Sequence, residues 1–203
     1  MNAQEALHRL REGNDRFVAG VRSIETLLSH AKREEFTQGQ QPFAVILGCS
    51  DSRVPAEIVF DQGLGDLFVI RVAGNIVAPS QIGSVEFAVS QFSTRLVVVM
   101  GHTDCGAVCA TLEEMQRPKG QQSCNIKAIV DRIRPSIEPF VHTELWSKPE
   151  ELARQATRAN VRASVNQLSH SSDLLEQFIA REGLLVIGAE YDLHSGKVEF
   201  FED

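Results

Sequence analysis

The chain has 203 residues and a mass of 22.4 kDa, a length that suits one domain and leaves little room for two independent cores. With 43% apolar and 23% charged residues it sits at the globular norm, which excludes a disordered chain. Twenty basic and 27 acidic side chains give a formal charge of −7, which argues against nucleic acid as a partner, and no apolar run approaches the roughly 18 residues that cross a bilayer.

The start, from Met1 to Asn14, mixes charges with Leu7 and Leu10, so the expected setting is cytoplasmic. Four cysteines are too few for a disulfide scaffold, and Cys49 stands far from Cys105, Cys109 and Cys124. Metal binding or catalysis is the better use for thiols in a reducing compartment. There is no internal repeat and no Gly/Ser linker, so residues 1–203 are expected to form a single unit, with 1–38 a helical arm and 39–203 an α/β core.

In chain order, residues 4–18 carry Ala6, Leu7, Leu10, Phe17 and Val18 at helical spacing, and a second helical segment is expected near 22–36. Phe43 to Gly48 is an unbroken apolar run. Leu67 to Val72, Leu96 to Met100 and Leu184 to Ile187 follow the same pattern, which suits strands covered on both faces. Helical stretches are expected between them, at 80–93, 105–117, 122–140, 148–168 and 171–181. This alternation predicts a mostly parallel sheet in an α/β fold, with Lys197 to Phe201 as a final edge strand.

The first strand runs directly into Cys49-Ser50-Asp51-Ser52-Arg53, and the third into Gly101-His102-Thr103-Asp104-Cys105-Gly106. In open parallel sheets ligands bind at the carboxyl ends of strands, so these two clusters face each other if the strands are neighbours. Cys49, His102 and Cys105 offer two thiolates and one imidazole, a set suited to Zn²⁺ with a fourth tetrahedral position open. His102-x-x-Cys105 spans a strand-to-helix turn, where Thr103 or Asp104 could cap the helix and its positive start favours the Cys105 thiolate. A single buried cysteine is often only a small hydrophobe. Two such clusters, with Asp51 and Arg53 beside the first, are harder to explain by packing alone. Cys109 and Cys124 lack partners at ligand spacing and are read as structural. His8, His30, His142, His170 and His194 are read as surface residues.

Asp51 has two conceivable roles. It could close the metal shell as a fourth ligand, or Arg53 could hold it aside through a bidentate pair, leaving it to orient a water in the open position. A carboxylate that swings between the two would make activity rise steeply with pH.

The strings CSDSRV at 49–54 and GHTDCGA at 101–107 resemble the zinc-binding motifs of the β-class carbonic anhydrases. The resemblance extends through GDLFVIRVAGN at 65–75 and GSVEFAV at 83–89, and more weakly into ALHRLREGNDRFV, NVRASVNQL and IGAEYDLHSGKV. It implies four parallel strands with an antiparallel edge strand, a homodimer wrapped by its N-terminal helices, and often a tetramer. It also implies one Zn²⁺ per chain and reversible hydration of CO₂ to bicarbonate and a proton by attack of zinc-bound hydroxide. Carried over by position, the ligands are Cys49, His102 and Cys105, and the dyad is Asp51 and Arg53. Substrate contacts fall on Gln40, Phe68, Ala73, Phe87 and the amide of Gly106. Two of these depart from the family pattern. Phe87 replaces a tyrosine contributed across the dimer interface, and Ala73 replaces a larger valine. A regulatory bicarbonate site made of Trp, Arg and Tyr in some members maps to Ile46, Arg71 and Tyr191, so one of its three residues is missing. Rival readings are a CS₂ or COS hydrolase on the same scaffold, a non-catalytic zinc-binding protein, and a thiol redox enzyme or cysteine phosphatase. The last is disfavoured by the short Cys49-to-Arg53 spacing and the lack of Cys-x-x-Cys.

Overall fold

A computed structural model describes residues 1–24, 26, 37–116 and 123–201. The four apolar runs become the parallel strands β1 (Ala44–Gly48), β2 (Leu67–Arg71), β3 (Leu96–His102) and β4 (Leu185–Tyr191), and β5 (Val198–Phe200) closes one edge. The sheet order is β2-β1-β3-β4-β5, with β5 antiparallel to β4. All five residues of β1 and all seven of β3 are buried. This burial on both faces explains why the runs are continuous rather than alternating.

Helices cover both faces. On one side α1 (Ala3–Val18) and α2 (Ala56–Val59) pack Leu7, Leu10 and Val59 against Ile46, Val98 and Met100. On the other, α3 (Pro79–Gln91), α6 (Pro149–His170) and α7 (Asp173–Arg181) bring Val85, Val89, Val161 and Leu175 onto Val45, Leu47, Val97 and Val99. A third cluster includes Cys49 and Cys105 and is built largely from α4 (Gly106–Gln116) and α5 (Cys124–Ile137). Among the described residues no helix is long and apolar enough to cross a membrane.

The first helix starts on a reciprocal cap in which Asn2 and Glu5 satisfy each other's amides. It lies against its own sheet: the buried Asn14 donates to the carbonyls of Val59 and Gly196 and accepts from the amide of Val198. The part of the arm expected to be helical near 22–36 lies mostly outside the described residues. The short α2, which follows Pro55, has no sequence periodicity to announce it.

Two strands run further than their apolar cores. β3 continues through Gly101 and His102 because β4 continues through Glu190 and Tyr191, and the residues pair across the ladder. Glu190 is buried there, and Arg158 on α6 donates to it at 2.9 Å while also holding Glu199 on β5 at 2.8 Å. Gly101 lies where α6 crosses β3; a Cβ there would come within 2.6 Å of Val161 Cγ2 and 3.3 Å of Thr157 Cγ2. Gly101→Ala is therefore expected to lower stability by about 1–3 kcal/mol, measurable as an earlier urea midpoint with an unchanged slope.

Candidate metal centre

β1 and β3 are hydrogen-bonded neighbours, so their carboxyl ends bring Cys49 and His102 side by side, and the turn after β3 folds Cys105 back toward them. The Cys49 and Cys105 sulfurs and a His102 nitrogen all lie within 4.8 Å of one another, and all three residues are buried. The His102 ring is oriented from behind. Its Nδ1 lies 2.8 Å from the carbonyl oxygen of Thr103, which can only accept, so Nδ1 carries the proton. The lone pair is therefore on Nε2, and this fully buried atom has no hydrogen-bond partner. A bare acceptor beside two sulfurs is the arrangement a soft divalent cation satisfies.

The two thiols shift in opposite directions. A hydrogen bond from Cys105 pulls the Cys49 thiol down to about 4 against the opposing effect of burial. Cys105 is pushed up, first by that bond to Cys49 and then by burial. The amides of Ala107 and Val108 in the first turn of α4 point to the Cys105 sulfur and work the other way. Cys105 itself thus receives the helix-start amides, a role also open to Thr103 or Asp104 from the sequence. The Thr103 hydroxyl instead accepts the amide of Leu193 at 3.0 Å, and the backbone of Asp104 takes a left-handed φ of 55° to make the turn. These three residues are the ones that would hold a dication, which would favour both thiolates. The Cys49 sulfur also accepts the amide of Gly74 at 3.4 Å. Gly74 has a φ of 67°, where a side chain is strained, and a Cβ there would come within 2.7 Å of Ile133 Cδ1 and 3.0 Å of Ala107 Cβ, so Ile133 would have to shift.

Of the two roles open to Asp51, the structure adopts the pair with Arg53. Arg53 Nε donates to Oδ1 at 2.9 Å and Nη2 to Oδ2 at 2.7 Å, while the Arg53 amide donates to Oδ1 at 3.0 Å. These bonds hold the Asp51 carboxyl well below the usual carboxylate range. Its Oδ2 stands 3.9 Å from His102 Nε2, beside the cluster rather than within hydrogen-bond reach.

The expected substrate contacts divide into two groups. Gly106, which opens α4, follows Cys105 directly, and Ala73, in the short turn after β2, precedes Gly74, whose amide reaches the Cys49 sulfur. Gln40, Phe68 and Phe87 are not chain neighbours of the cluster. Gln40 lines a cavity of about 510 Å³ with Phe43, Phe92 and Thr94, at the amino ends of β1 and β3. From Phe43 to Cys49 the strand runs six residues, or roughly 20 Å. Phe68 packs with Phe87 and Phe92, ring centroids 6.3 and 6.1 Å away, and Phe87 is 52% exposed. Of the regulatory positions, Ile46 is fully buried, Tyr191 packs beside Phe17, and Arg71 binds backbone carbonyls. All four cysteines are free; Cys109 is half-buried on α4 and Cys124 is exposed at the start of α5. His8, His142, His170 and His194 are exposed, and His30 lies outside the described residues. The amide of Gly74 was not anticipated from the sequence. The signal was available in Gly74-Asn75, a turn-forming pair whose members both adopt positive φ.

The profile of the carbonic anhydrase family matches residues 44–198. Over 201 residues the chain is 40% identical to the carbonic anhydrase of Mycolicibacterium smegmatis, covering 98% of this chain and 93% of that one. It is 38% identical to carbonic anhydrase 2 of Mycobacterium tuberculosis over 201 residues, covering 97% and 91%. The crystal structure of the β-carbonic anhydrase CafA of Aspergillus fumigatus superposes with a TM-score of 0.76 at 27% identity, over 86% of this chain and 84% of that one. The matched span contains both strand-end clusters and the four parallel strands that hold them, and the chain belongs to the β-class carbonic anhydrases, lyases that hydrate carbon dioxide.

Proposed function

We propose that the chain is a zinc enzyme of reversible CO₂ hydration, with one Zn²⁺ held by the Cys49 sulfur, His102 Nε2 and the Cys105 sulfur. The observation that carries this reading is the bare, fully buried Nε2 of His102, with its ring fixed by Thr103, facing two sulfurs. When bound to three protein ligands, zinc supplies a Lewis-acid position that acidifies a water and makes a nucleophile available near neutral pH. Because the Arg53 fork occupies Asp51, this carboxylate is kept from joining the shell and remains able to accept a hydrogen bond and orient the attacking group. CO₂ is apolar and offers few handles, so placing it against that group is the remaining task of the protein. Ala73 supplies an apolar wall and the Gly106 amide an anion contact for the product.

The rest of the pocket comes from a second copy of the chain. Gln40 lies the length of β1 from Cys49, Phe68 and Phe87 pack on Phe92, which lines the same cavity as Gln40, and Phe87 is half-exposed, as an interface residue is before assembly. The active form is therefore a homodimer or a tetramer built from it, in which Gln40, Phe68 and Phe87 of the partner subunit complete each site. The free cysteines and the thiolate ligands suit a reducing, cytoplasmic setting.

Stopped-flow CO₂ hydration alongside a zinc assay tests this reading. Hydration that disappears on chelation and returns with zinc supports it. Zinc-loaded protein that is inert toward CO₂, or that releases H₂S from CS₂ or COS instead, overturns it. Asp51→Asn, which keeps the shape but loses the charge, is expected to lower kcat by roughly 10²-fold or more with zinc content unchanged; a fall in zinc content instead would make Asp51 part of the metal shell.

A further inference from the structure

Beyond the ligands and the dyad, one exposed side chain is tied to the backbone of both. Arg71 is the last residue of β2, opposite Gly48 in the parallel ladder, and the final ladder bond runs from the Val72 amide to the Gly48 carbonyl. Past that point β1 has no strand partner on the β2 side, and the chain enters the loop that carries Cys49, Asp51 and Arg53. Arg71 takes over there. Its Nε donates to the carbonyl oxygen of Cys49 at 3.0 Å and its Nη2 to that of Asp51 at 2.6 Å.

We infer that Arg71 is a positioning residue of the metal centre, a planar two-pronged latch that fixes the Cys49–Asp51 backbone and thereby aims the Cys49 sulfur and the Asp51 carboxylate. The inference rests on the zinc reading and extends it to a residue that touches neither metal nor substrate. The two arginines at this site divide the work. Arg53 holds the Asp51 carboxylate, whereas Arg71 holds the main chain that carries it. Both carbonyls sit in a loop that has left the sheet; that of Asp51 also accepts the amide of Val54 at 3.1 Å, a bond within the loop, whereas Arg71 is the donor that ties the loop back to β2. A guanidinium presents two N–H groups at fixed spacing and so sets the separation of the two carbonyls; a lysine ammonium is a single point without that fork. The remaining restraint on the Cys49 sulfur from the β2 side is the weak 3.4 Å bond from the Gly74 amide, which fixes the sulfur but not the loop.

The test compares the full-length chain with Arg71→Ala, Arg71→Met and Arg71→Lys. Zinc affinity is measured by competition with a chromophoric chelator, and ligand geometry by the visible d–d spectrum of the Co²⁺-substituted protein. For Arg71→Ala, zinc affinity is expected to fall roughly 10- to 100-fold, the usual range for an outer-shell partner. The cobalt bands should shift, while the circular dichroism and oligomeric state of the metal-free protein stay as in wild type. Arg71→Met keeps the packing of the stem without any donor and carries the test if the alanine variant does not fold. Arg71→Lys should recover part of the affinity and part of the spectrum. Wild-type zinc affinity and a wild-type cobalt spectrum in the alanine or methionine variant would overturn the latch and leave the zinc reading standing. A wild-type chain that binds neither metal overturns both.

Discussion

Replacing His102 by alanine is expected to empty the centre of zinc and to reduce CO₂ hydration to the rate in buffer. Two sulfurs alone leave the cation short of its third protein donor, and the lost affinity should exceed the roughly 10- to 100-fold that an outer-shell partner is worth. His102 is also fully buried at the end of β3, so the variant leaves a cavity beside Cys49 and Cys105 and should unfold earlier. Activity loss and stability loss are separable by comparison with Cys109. Cys109→Ser changes a half-buried thiol on α4 that is not part of the three-residue cluster, and it should retain a full complement of zinc and wild-type turnover. Zinc bound at wild-type affinity by His102→Ala would show that the imidazole is not a ligand. Metal analysis and stopped-flow rates on the two variants decide the point.

The second large effect concerns the division of the site between subunits. Gln40→Ala should lower kcat/KM by roughly 10²-fold, because CO₂ held without its polar partner is misplaced relative to the nucleophile. Cys49→Ala should be inactive outright. Mixed after dissociation and reassembly, the two inactive proteins are expected to regain activity. In a mixed dimer the intact metal cluster belongs to the Gln40→Ala chain, and the intact glutamine is supplied by its Cys49→Ala partner. Random pairing makes half the dimers mixed, with one working site in two, so about a quarter of wild-type activity returns. If Gln40 served its own chain, every mixed dimer would contain two broken sites and no activity would return. Gln40 sits at the amino end of the sheet and Cys49 at the carboxyl end, with the whole of β1 between them.

The same separation shows where sequence reading reached its limit. Cys49, His102 and Cys105 could be found because each stands at or just after the end of an apolar run, and one assumption, that the first and third strands are neighbours, brings them together. The ladder from Val45 opposite Val97 to Gly48 opposite Met100 fulfils it. Gln40 and Phe68 were matched to family positions by the resemblance, but a linear pattern does not say which subunit either residue serves; only Phe87, at a position the resemblance places across the dimer interface, carried that information. Two strands run past their apolar cores for a related reason. Gly101, His102 and Glu190 break the apolar pattern, and they are held in strands by pairing across the ladder and by Arg158, which lies 32 residues from Glu190 in the chain. Arg71 and Gly74 act through backbone groups, a carbonyl clamp and a single amide, and neither contact leaves a trace in residue spacing. The N-terminal helix could be recognised from its apolar stripe, but its docking depends on Asn14, a polar residue inside that stripe whose partners Val59, Gly196 and Val198 become neighbours only in the folded chain.

The most direct measurement is zinc K-edge X-ray absorption on protein purified without chelators. The account predicts one zinc per chain with two sulfurs at about 2.3 Å and one imidazole nitrogen at about 2.0–2.1 Å, the fourth position filled by a light atom that Asp51→Asn does not remove. A shell without sulfur, or a protein that retains no zinc while Cys49, His102 and Cys105 are all intact, would contradict it.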